Sequence, residues 1–69
     1  MLRRHLAEAK AHVEMGSKTL ARQRELIAEL ERDGHDSTQA RAMLKQFEEV
    51  QAMHITDRER ILRELAQER

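Results

Sequence analysis

The chain is 69 residues long and 38% charged, with thirteen basic residues against thirteen acidic ones and neither cysteine nor proline. That length allows one small domain, and the missing cysteines exclude disulfides, zinc–thiolate sites and a thiol nucleophile. Balanced charge removes the electrostatic reason to bind nucleic acid or an anionic membrane surface, so neither is expected as a partner. No apolar run approaches the roughly 18 residues of a membrane span. The opening MLRRHLAEAK has no apolar signal core, so the cytoplasm is the expected compartment. With one aromatic residue, Phe47, and an abundance of strong helix formers, the chain is expected to be all-α and coiled-coil-like.

In chain order, the first element is an uninterrupted heptad pattern. Leu2, Leu6, Ala9, Val13, Gly16, Leu20, Gln23, Ile27 and Leu30 follow one another in alternating steps of four and three. That is the period of a helix supercoiling against a neighbour. Gly16 lies on this seam without shifting its phase, so the helix is expected to run through it, over about residues 2–33. Asp33-Gly34 then ends it, Gly34 suiting the left-handed position that follows a helix. The turn is expected at about 34–36, with Asp36 (or Ser37) capping a second helix at about 37–67. Gln39, three residues after Asp36, fits a capping box.

The second helix is apolar at Ala40, Met43, Leu44, Phe47, Val50, His54, Ile55, Ile61, Leu62 and Leu65, with a break at Asp57 and Arg58. A short connection makes the two helices an antiparallel hairpin. Folding about residue 35 pairs Leu30 with Ala40, Ile27 with Met43, Gln23 with Phe47, Leu20 with Val50, Gly16 with His54 and Ala9 with Ile61. In that register Gly16 leaves room for the His54 imidazole, whose N–H would find a backbone carbonyl. Gln23 and Arg58 read as polar seam residues that fix register; Arg58 and Asp57 either pair across the bundle with groups such as Glu14 or Lys10, or mark where a second hairpin crosses away. The stripe of the second helix, widened by Leu44, Ile55, Leu62 and Leu65, exceeds what one partner helix covers, and Leu26 adds to the surplus. A homodimer of hairpins, forming a four-helix bundle with an isologous interface, would cover it.

Histidine is the residue type that could carry a site. His5, Glu8 and His12 share one face of the first helix, and His12 lies about a turn from the level of His54. Two imidazoles and a carboxylate can bind zinc, copper or iron. Di-iron bundles, however, use Glu-x-x-His on facing helices; the second helix supplies His54-x-x-Asp57 and the first has no Glu-x-x-His. The preferred reading makes His5 and His12 border residues and His54 a core histidine, with no metal or other cofactor. A small metal-binding or metal-sensing bundle is the alternative. Protonation of a seam His54 would also oppose assembly. There is no glycine-rich phosphate loop and no nucleophile–base–acid set, so no catalytic residue is assigned and enzymatic activity is not expected.

The segment LARQRELIAELERDGHDSTQARAMLKQFEEVQAMHITDRERI resembles a group of short bacterial proteins of unknown function, mostly proteobacterial. They share an HLAEA-like start, an ARQRELIAELERDGHD-like first helix and turn, and an FEEVQAMHITDRERI-like second helix. The resemblance spans nearly the whole chain and implies a helical hairpin, with no activity or site residue to carry over. The expected function is a non-enzymatic, self-associating helical interaction module, or a surface presented to another helical protein.

Overall fold

In the computed structural model, which describes residues 1–67, the chain folds into two helices. They are α1 (Leu2–Arg32) and α2 (Thr38–Gln67), and they pack against each other as an antiparallel hairpin. Rows of Ala, Leu, Glu, Arg and Gln favour the helical backbone, and the apolar seam decides which sides meet. The result is a rod of 57 × 14 × 13 Å. Its radius of gyration is 16.0 Å, against about 11 Å for a rounded domain of this length.

On α1 the heptad reading describes the molecule closely. Ala9, Gln23 and Ile27 are buried, the other seam residues from Leu2 to Leu30 are half-buried, and the residues between them are exposed. On α2 the seam differs from the expected stripe. It runs Ala40, Leu44, Phe47, Gln51, His54, Arg58, Ile61 and Leu65, again in steps of four and three. Met43 and Val50, expected at the contact, are each 48% exposed. Two polar residues, Gln51 and Arg58, occupy seam positions, Gln51 at one that the apolar reading skipped.

The register is correspondingly one turn from the one the sequence suggests. Gly16 meets Gln51 rather than His54, and His54 instead lies beside His12. Continuing this register by heptads sets Ile27 near Ala40, Leu20 near Phe47 and Ala9 near Arg58. Small residues thus sit across from large ones, which lets the helices approach closely. The slip does not prevent closure, because five residues, 33–37, separate the helices.

The turn is tightly bonded. Gly34 has φ +77, and its N–H donates to Glu31 O at 3.2 Å while His35 N–H donates to Leu30 O at 2.8 Å. These two bonds make a Schellman ending, which satisfies carbonyls the helix leaves open. Entry to α2 differs from a capping box. The Asp36 carboxylate accepts from the Thr38 N–H at 3.0 Å and from its hydroxyl at 2.6 Å. Ser37 turns its hydroxyl to Glu31 at 2.8 Å, and Gln39 stays exposed, so the reciprocal bond does not form. Glu31 also accepts from the Arg41 guanidinium, tying the end of α1 to the first turn of α2.

Those contacts hold the Glu31 carboxyl below its ordinary value, chiefly through the Arg41 hydrogen bond and then that of Ser37. The Thr38 hydroxyl and then its N–H do the same for Asp36. A carboxyl depressed by folding stabilises the fold above its ordinary pKa, and that stability is lost as pH falls through the folded value. Melting temperature is therefore expected to fall as pH drops below about 4, and to fall less in an Asp36→Asn, Arg41→Ala double variant. Equal acid sensitivity of the two proteins would show that these contacts contribute nothing. Gly34→Ala places a Cβ on a left-handed residue and is expected to cost about 1 kcal/mol in a denaturant titration. No atom lies within 4 Å to add a clash, so a cost well above that would contradict backbone strain as its origin.

Candidate functional site

The interior of the hairpin is thin and partly polar. Its buried apolar residues are Ala9, Ile27, Ala40 and Ile61, and beside them Gln23 and Gln51 are as deeply buried. Each glutamine crosses the interface to a backbone carbonyl of the other helix. Gln23 Nε2 donates to Ala40 O at 2.8 Å, and Gln51 Nε2 donates to Val13 O, also at 2.8 Å. The pair is reciprocal, one donor from each helix. A one-turn slip would set a side chain instead of Gly16 against the Gln51 carboxamide, so this contact favours the observed register.

Gln51 explains the glycine at position 16. A Cβ on Gly16 would fall 2.7 Å from Gln51 Cδ and nearer still to Oε1. The glutamine folds its carboxamide into the space that any other residue would fill. Its Oε1 is buried without a hydrogen-bond partner, and Gly16 presents a Cα–H toward it, which is weak compensation. The role expected of His54 belongs to Gln51, whose longer side chain reaches the carbonyl of Val13.

The other expected site residues are dispersed. His12 and His54 come together, with ring centroids 5.3 Å apart and planes tilted by 38°. His5 and Glu8 are exposed, and among the described residues no three His, Asp or Glu have the spacing to hold a metal ion. Phe47 lies half-buried on the seam, one turn from where it was expected to meet Gln23. Arg58 is also on the seam, its Nε buried and unpartnered. Asp57 pairs with Arg60 of its own helix at 2.6 Å, and Glu14 with Lys18 at 3.7 Å, each within one helix rather than across the interface.

The two long faces of the hairpin differ. One carries the cross-helix ion pairs, Arg24 with Glu48 at 3.6 Å and Arg41 with Glu31. The other has a shallow groove of about 320 Å³ between the helices, lined among others by Met15, Thr19, Phe47, Val50 and the two histidines. Next to it, Val50, Met53 and His54 border a second depression with Asp57 and Arg60. Met15 is 67% and Met53 70% exposed. Heptad phase sets Leu26 and Met43 on this same side, further toward the turn. The sequence reading assigned no surface to Met15 and Met53, which stand in sequence next to the seam residues Gly16 and His54. Counting apolar residues at flanking heptad positions would have found them.

Comparison with protein-family models, curated proteins and solved structures gave no match. No helix among the described residues is long and apolar enough to cross a membrane.

The Gly16–Gln51 contact has a thermodynamic signature. Gly16→Ala gains about 1 kcal/mol of helix propensity but displaces the Gln51 amide, whose bond contributes a similar amount. The single variant is therefore expected within about 1 kcal/mol of the parent. In a Gln51→Ala background the same change should stabilise by about the full 1 kcal/mol. Equal effects in the two backgrounds, read from urea titrations, would show that the residues do not interact.

Proposed function

We propose that the hairpin is a non-enzymatic interaction module that works by self-association, two copies packing into a four-helix bundle. The observation that carries this reading is area. The chain exposes 5717 Å² for a mass of 8.1 kDa, where a compact monomer of that mass exposes about 4,500 Å². A surplus of about 1,200 Å² exceeds the roughly 800 Å² that each partner contributes to a standard interface. The buried interior is small in proportion, and among the described residues no large side chain is fully enclosed. A second hairpin supplies the missing layer, as in four-helix bundles generally. Kinship with the short bacterial hairpin proteins that the sequence resembles belongs to the same proposal and supplies no activity.

If association contributes to folding, stability depends on protein concentration. Thermal melts over a hundredfold dilution are expected to shift by about 5–10 °C, the more concentrated sample melting higher. A melting temperature independent of concentration would count against self-association as the organising property.

The adjacency of His12 and His54 supports a second, weaker reading. Two imidazoles at 5.3 Å could serve as half of a metal site completed from outside the hairpin. Calorimetric titration with zinc decides it: binding that disappears in His54→Ala supports the site, and identical traces end the idea.

A further inference from the structure

We infer that the second copy docks on the face bearing Met15, Val50 and Met53, leaving the ion-paired face in water. This rests on the self-association proposed above and adds which surface makes the contact. Two observations single out that face, and two more point to a second copy as its occupant.

Exposed apolar side chains are unevenly distributed about the hairpin. Met15, Leu26, Met43, Val50 and Met53 are 43–70% exposed, and heptad phase places all five on one side. The opposite side holds Leu62, 41% exposed, together with both cross-helix ion pairs. Paired charges are already solvated and give little on burial, whereas apolar surface gains by leaving water.

Composition and shape fit a partner helix. Three of the five are methionines, unbranched and polarisable, and methionine is enriched at interface cores. The groove between the helices runs under Met15 and Val50 with Phe47 at its floor, so a ridge of side chains from a partner can seat there.

Charge points to a second copy rather than a partner of opposite sign. The rim of the face holds Arg22 and Glu29 toward the turn, and Asp57 and Arg60 toward the other end. Both signs occur at both ends, so two identical faces meet without net repulsion. A rim of one sign would have called for an oppositely charged protein. The chain as a whole is neutral as well. The area that a dimer needs is also present, since the surplus computed above exceeds one partner's share of a standard interface.

The methionines permit a direct test on the unaltered protein. Met1 is 97% exposed and serves as an internal reference for oxidation by hydrogen peroxide. At concentrations where the chain is dimeric, Met15 and Met53 are expected to oxidise at least about threefold more slowly than Met1, and to approach its rate on dilution. Oxidation of all three at one rate within a verified dimer would overturn the choice of face while leaving self-association intact. A chain that stays monomeric at every concentration would remove both. As a second arm, Val50→Glu and Met53→Glu, both at exposed positions, should weaken dimerisation by about tenfold or more in sedimentation equilibrium. Leu62→Glu should leave it unchanged. The reverse pattern, with Leu62→Glu alone dissociating the dimer, would move the interface to the other face.

Discussion

The folding of the Gln51 carboxamide into the gap left by Gly16 is the contact on which the hairpin's alignment depends. Two helices with regular heptads can pack equally well in registers a turn apart, because apolar layers are nearly interchangeable. A buried amide is not interchangeable. Displaced by one turn, Gln51 would lose the space that Gly16 leaves for its carboxamide. These contacts act mainly by penalising the wrong alignments. The turn agrees with them: its Schellman ending and the Glu31–Arg41 link hold the helix ends where the glutamines need them.

Spending interior positions on Gln23, Gln51 and Arg58 has a consequence for assembly. The hairpin gains a defined alignment but buries few large apolar groups, and much of what it lacks inside appears on one outer face. The ion-paired side and the methionine-bearing side thus have separate physical roles. The first keeps the helices in step across solvent-exposed positions, where pairs contribute modestly. The second carries apolar area that a lone hairpin leaves in water. The proposal of a four-helix bundle follows from that imbalance.

What the sequence made legible divides along the same line. The seam of α1 could be read because its positions from Leu2 to Leu30 are occupied by apolar or small residues, with Gln23 the single exception. Gly34 and Asp36 were readable because turn chemistry is local, needing only a left-handed residue and a nearby carboxylate. The seam of α2 was misread because Gln51 looks like a surface residue, while Met43 and Val50 look like core. Burial of a polar side chain depends on what faces it, and Gln51 is acceptable only because Gly16 lies opposite. That is information about two distant positions jointly. The capping box failed for a local reason: the Asp36 carboxylate is taken by the Thr38 N–H and hydroxyl.

The central claim is that one hairpin is an incomplete unit. Its most direct test is the molar mass in solution, by light scattering behind a sizing column at neutral pH over a hundredfold range of concentration. The account predicts a mass near twice the 8.1 kDa of the chain, falling toward one chain only at high dilution. A mass of one chain throughout the range would contradict it.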